Sequence, residues 1–154
     1  MASHFFDTSA LVKRYIQETG SAWVSDICDD PAMGPIFIGE ITEIELVSAV
    51  YRRGRGGSLT NSETQTAISD FDADRAGQYS SIEVSRNILI GARNLVEIYA
   101  LRGSDAVQLA LAVECNDEQI RIQMPSVIFV SADNELNDAA KSEGLTVENP
   151  NNYP

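Results

Sequence analysis

A three-layer α/β/α sandwich with a central, mainly parallel sheet is the fold class this sequence predicts, and three observations predict it. Short apolar runs recur without in–out alternation, stretches of helical period separate them, and an aspartate stands where two of those runs give way to a helix. Strands that are apolar throughout are buried on both faces, so helices must cover both faces of the sheet. In such a sheet, sites gather at the carboxyl ends of the strands.

In chain order, the first run is "HFF" (4–6), which ends at Asp7. Thr8 and Ser9 turn the chain into a helix over 8–17 that buries Leu11, Val12 and Tyr15, and a second helix covers 21–30. "IFI" (36–38), bounded by Pro35 and Gly39, is the next strand, and helices over 41–53, 62–72 and 86–101 follow it. Over 104–115 the apolar residues Ala106, Val107, Leu109, Ala110, Leu111 and Val113 nearly surround the axis, which predicts a helix buried on most sides. "VIFVS" (127–131) is a strand, Asp133 precedes a helix over 134–143, and "LTV" (145–147) is the last strand. No internal repeat, low-complexity run or Pro/Gly/Ser linker interrupts this order, so a single domain over 1–154 is expected.

Composition sets the limits. With 154 residues, 44% hydrophobic and 22% charged, the chain can bury one ordinary core. Only Phe5 and Phe6 precede the first charge, and no run approaches the roughly 18 apolar residues of a membrane span, so a cytoplasmic protein without membrane contact is expected. Cys28 and Cys115 have no metal-site spacing and read as buried thiols. A net charge of -12 excludes long-range attraction of the whole molecule to phosphate. Any nucleic-acid role must rest on a local basic patch, a bound metal or a basic partner, and the acidity suits a positively charged chain as ligand.

The acids have an ordinary reading and a chemical one. Asp7 and Asp133 sit at strand-to-helix junctions, where aspartate is a favoured N-cap contributing about 1 kcal/mol, and Asp105 suits the positive end of the helix it opens. Glu45 lies inside a helix among small and apolar neighbours, and its spacing fits a solvated charge and an inward-facing carboxylate equally. If the four converge, each pair about 4 Å apart repels by roughly 4 kcal/mol at an effective dielectric near 20. Convergence then requires protons or a cation. Oxygen donors without His or Cys select Mg²⁺ or Mn²⁺ over Zn²⁺, and the chemistry such a centre suits is phosphodiester hydrolysis.

The segments "FFDTSALVKRYIQETGS" (5–21), "ITEIELVSAVYRR" (41–53), "ALRGSDAVQLALAVE" (100–114) and "VIFVSADNELNDAAKSEGLTVENP" (127–150) resemble, in order and spacing, the motifs of PIN-domain ribonucleases, and within that family the VapC toxins of bacterial toxin–antitoxin pairs. Only 54–99 is weakly covered. The resemblance implies a PIN-like sheet flanked by helices, an acid quartet binding Mg²⁺ or Mn²⁺, and endonucleolytic cleavage of RNA. Position by position, Asp7 matches the first-strand acid, Glu45 the helical glutamate, Asp105 the acid of the "LRxxDA" motif and Asp133 the acid after the later strand. It casts Asp7 and Asp105 as the principal metal ligands, with Glu45 and Asp133 completing the site directly or through water. Thr8, Ser9 and Ser131 occupy small hydroxyl positions suited to orienting hydrogen bonds. A small antitoxin with a basic inhibitory segment and a homodimeric assembly are implied as well. Two positions depart from the pattern: Gln108 stands where many relatives have His, and Gly39 where many have Ser or Thr.

Other features stay ambivalent. Arg52, Arg53 and Arg55 in "YRRGRGG" suit RNA phosphates, but also an ordinary helix C-terminus, and Lys13 and Arg14 share that ambiguity. Tyr15, Trp23 and Tyr51 can stack on bases, though their spacing favours core packing. His4 has no nucleophile within its motif and is assigned no role. A phosphoaspartyl enzyme wants a second Asp where Ser9 stands, and a receiver domain wants an acidic pair and a late Lys that are missing. A catalytically silent PIN fold that binds RNA or protein is the rival that the intact quartet opposes.

Overall fold

In the computed structural model, which describes residues 2–154, five short strands pair in parallel: β1 (Ser3–Phe6), β2 (Ile36–Gly39), β3 (Tyr79–Ile82), β4 (Val127–Val130) and β5 (Thr146–Glu148), in the spatial order β3-β2-β1-β4-β5. Registers run Phe5 to Phe37 on one side of β1 and Phe5 to Phe129 on the other. The crossovers are α1 (Thr8–Tyr15) and α2 (Ser21–Asp29), then α3 (Ile41–Arg55) and α4 (Asn61–Gly77), then α5 (Arg86–Tyr99) and α6 (Gly103–Arg121), and last α7 (Asn134–Ser142).

Handedness explains the layering. From β1 the chain steps outward to β2 and β3, and it then returns past β1 to β4 and β5, moving in the opposite direction. Right-handed crossovers must therefore put α1–α4 on one face and α5–α7 on the other. The two cores follow this division. Phe6, Leu11, Val24, Leu46, Val50, Phe71 and Val130 pack together on one face, and Phe5, Ile88, Leu95, Leu109, Leu111, Phe129 and Leu136 on the other. Phe5 and Phe6 point to opposite faces because successive side chains alternate across a strand. Both are fully buried, and Phe5 stacks on Phe129 at 6.0 Å between ring centroids.

Four elements differ from the sequence reading, α4 among them, which runs on past the expected 62–72 to Gly77. β3 was not expected, because "YSSI" lacks an apolar run; as an edge strand it can expose Ser80 and Ser81 and bury Tyr79. α6 continues to Arg121, since its last turns lie at the surface and need only helix-forming polar residues, with Gln119 buried. α3 runs through Gly54 to Arg55: a Cβ at Gly54 would stand 2.6 Å from Thr64 Oγ1, so glycine there lets α3 and α4 approach closely.

The aromatic residues divide. Tyr15 packs edge-on against Phe71 and its hydroxyl donates to Asp74 (2.8 Å), Trp23 stacks on Tyr153, and Tyr51 is exposed. Cys28 and Cys115 are buried free thiols, pushed up to about 11 and about 12 by burial. Among the described residues, no helix is long and apolar enough to cross a membrane.

Candidate active site

The reversal of chain direction falls between β1 and β4, and a parallel sheet opens a crevice beyond the carboxyl ends of its strands at such a point. Asp7 leaves β1 there and Asp133 follows β4. Both are N-caps: Asp7 Oδ1 accepts from the Ala10 N–H at 3.0 Å, and Asp133 Oδ1 from the Leu136 N–H at 3.0 Å. Capping alone does not account for the surroundings of Asp7. Ser9 Oγ donates to its Oδ1 at 2.7 Å, and Ser131 Oγ donates to its Oδ2 at 2.8 Å. The two serines in turn accept from the N–H groups of Ala132 and Asp133, which ties the ends of β1 and β4 together through the carboxylate.

Glu45 arrives from the face of α1–α4 and Asp105 from the opposite face, on the first turn of α6. Spacing left the orientation of Glu45 open, and the structure turns it to the cleft. Its Oε1 accepts from Thr8 Oγ1 at 3.0 Å and from Gln108 Nε2 at 2.8 Å. Gln108 also reaches Thr42 Oγ1 at 2.9 Å and Thr8 Oγ1 at 3.2 Å, so it joins α6 to α3 and α1. The opposite amide orientation would bring its oxygen against a carboxylate, which fixes the nitrogen toward Glu45. Its Oε1 is buried without a hydrogen-bond partner, beside Gly39. A Cβ at Gly39 would meet Leu111 Cδ1 at 2.6 Å, so the two departures from the motif pattern, Gln108 and Gly39, are neighbours.

Asp7, Glu45, Asp105 and Asp133 all line one cleft of about 650 Å³, together with Thr8, Ser9 and Gln108. Ser131 is buried behind Asp7. Burial pushes the Asp7 carboxyl up to about 7 against its three hydrogen bonds, with a further push from Asp105. Asp105 is itself raised, by desolvation first and then by Asp133 and Glu45, while Arg102 opposes the shift. These shifts come from negative charge concentrated where solvent is scarce.

Among the described residues no three acidic, His or Cys side chains stand close enough to grip one ion as they are placed. Mutual repulsion keeps uncompensated carboxylates apart. The donor chemistry nevertheless fits a hard divalent cation. A carboxylate offers about four acceptor positions, and the hydrogen bonds to Asp7 fill three. No protein donor among the described residues reaches Glu45 Oε2, Asp133 Oδ2 or either oxygen of Asp105. Every free donor is oxygen, the preference of Mg²⁺ and Mn²⁺.

Sequence reasoning missed Thr42 and the contacts of Gln108. The one available signal was a polar residue inside the apolar helix "AVQLALAV", which must find a partner when buried. It also left unplaced the cations of the cleft, Lys13, Arg52, Arg53 and Arg102. Arg55 lies outside it, and His4, in β1, is buried with its pKa lowered chiefly by desolvation.

Comparison with known proteins adds the following. The PIN domain family model matches residues 4–142. The chain is 30% identical over 145 residues to Ribonuclease VapC45 and to Ribonuclease VapC49, both of Mycobacterium tuberculosis, covering 93% of this chain and 92% of each relative. Its fold is similar to the crystal structure of VapBC2 from Rickettsia felis bound to a DNA fragment from its promoter (TM-score 0.62, 15% identity, 96% of this chain and 98% of that one). It is also similar to PAE2754 from Pyrobaculum aerophilum (TM-score 0.58, 15% identity, 95% and 89%).

Proposed function

The chain belongs to the PIN-domain family, and from that premise we propose that it is a Mg²⁺- or Mn²⁺-dependent endoribonuclease, the toxin of a toxin–antitoxin pair. The observation that carries this reading is the meeting of Asp7, Glu45, Asp105 and Asp133, from four different segments, in one cleft at the reversal point of the sheet. The 30% identity to two proteins named as VapC ribonucleases supports RNA as the substrate.

Asp7 and Asp105 would be the principal ligands of the cation, and Glu45 and Asp133 would complete the site directly or through water. A divalent cation held there supplies the charge that lowers the pKa of an attacking water and offsets the negative charge gathering on the phosphoryl oxygens. The protein's part is orientation. Ser9 and Ser131 fix Asp7, while Thr8 and Gln108 hold Oε1 of Glu45 and leave Oε2 facing the cleft as an acceptor for the proton that the water loses.

The antitoxin, in this reading, is a small protein whose basic segment pairs with the same carboxylates and displaces the cation. The net charge of -12 and the fold shared with VapBC2 support it. The toxin acts in the cytoplasm, as a homodimer.

The test uses Asp105→Asn, because among the described residues Asp105 makes no hydrogen bond that its loss would leave broken. RNA cleavage that needs Mg²⁺ or Mn²⁺, stops in EDTA and falls at least 100-fold in the variant, with growth arrest lost in parallel, is the expected result. Equal cleavage by both proteins, or cleavage in EDTA, refutes the reading.

A further inference from the structure

The cleft is divided in charge along its length. Four of the protein's 11 Lys and Arg residues line it, namely Lys13, Arg52, Arg53 and Arg102, in a molecule of net charge -12. Along the cleft-facing side of α3 the order is Glu45, then the small residues Ser48 and Ala49, then Arg52 and Arg53. Arg52 stands seven positions after Glu45, about 10 Å along the helix axis. That rise is longer than one phosphate group, so the cleft has length along α3 for a second phosphate beside the one at the acids.

The arginine end is also incompletely paired. Arg53 Nη2 donates to Glu18 Oε2 at 2.9 Å, while its Nη1 is buried without a hydrogen-bond partner. Arg52 is exposed and makes no ion pair among the described residues. Behind them Lys13, only 5% exposed, gives its ammonium to Glu18 Oε1 at 3.0 Å and to the Thr19 carbonyl at 2.9 Å. Three positive groups against one carboxylate leave a local excess of positive charge, in a cleft that focuses its field.

We infer that Arg52 and Arg53 form a second phosphate subsite, which binds a backbone phosphate of single-stranded RNA other than the one cleaved. Arg52 is free to pair with the phosphate outright, and Arg53, held to Glu18 through Nη2, adds its charge beside it. Ser48 and Ala49 leave room for the intervening nucleotide. Glu18 sets the strength of the subsite by neutralising part of its charge. This inference rests on the ribonuclease reading and gives it a direction: the strand runs from the acids toward the C-terminus of α3.

The test is binding of fluorescein-labelled single-stranded oligoribonucleotides of increasing length, with Ca²⁺ replacing Mg²⁺ and Mn²⁺, at several salt concentrations. Wild type gains affinity in a step once the strand spans both ends of the cleft. Arg52→Ala loses roughly three- to tenfold of that gain, with the slope of log K against log salt shallower by about 0.7, and Arg52→Lys recovers most of it. Glu18→Gln moves the other way, with tighter binding and a steeper slope, a gain that mere damage to the fold does not produce. Unchanged affinity and slope in Arg52→Ala, or weaker binding in Glu18→Gln, overturns the subsite while leaving the ribonuclease reading intact. A wild type that binds no oligoribonucleotide of any length overturns that reading together with the subsite.

Discussion

Asp7→Asn should make the metal-free protein more stable at neutral pH and change little in acid. Asp7 is 3% exposed, and burial raises its carboxyl from 3.8 to about 7. A group whose folded pKa lies above its unfolded value stabilises the fold fully below the unfolded pKa and loses that contribution as pH rises through the folded one. The difference corresponds to roughly 4 kcal/mol, and on the order of 2.5 kcal/mol of it is lost between pH 5 and pH 8. Asparagine keeps the cap to Ala10 and presents an amide where the protonated acid presents its hydroxyl, so it stands in for the neutral form. The assay is urea unfolding in EDTA at pH 5, 6, 7 and 8 for both proteins. The two stability curves should diverge by about 2.5 kcal/mol across that range, with the variant the more stable at pH 8. Parallel curves would refute the reasoning, because they would mean that Asp7 ionises at no cost in the folded protein.

Three further outcomes are expected. Gln108→Leu removes the donor that fixes Glu45 and leaves Thr42 without its partner; unfolding free energy should fall by about 1–3 kcal/mol in urea titrations, and RNA cleavage should slow by more than the folded fraction explains. Ala100 ends α5 in the left-handed region at φ 53, so Ala100→Gly should raise stability by about 1 kcal/mol in the same assay. Phe71, fully buried against Tyr15, should cost about 3–5 kcal/mol as Phe71→Ala, seen as a large drop in melting temperature.

How much was legible follows from what each signal depends on. Buried parallel strands announce themselves by runs such as "VIFV", and the acids that end them occupy junctions that any such sheet turns into a crevice, so Asp7 and Asp133 could be placed from sequence. β3 could not, since an edge strand with exposed Ser80 and Ser81 carries no apolar run. Glu45 was ambiguous because helical spacing describes its own helix, whereas its orientation is set by Thr8 and Gln108, 37 and 63 residues away. The same holds for Arg53: its partner Glu18 lies 35 residues earlier, in the loop after α1, and only the fold reveals that this end of α3 faces the acid cleft.

The dependence of RNA cleavage on a cation held by the four acids is tested most directly by titrating Mn²⁺ into wild type and Asp105→Asn, following ion binding and cleavage rate on the same samples. Wild type should bind Mn²⁺ and cleave along one saturation curve, and the variant should lose both. Cleavage that is independent of Mn²⁺ occupancy, or that survives in the variant while ion binding is lost, would contradict it.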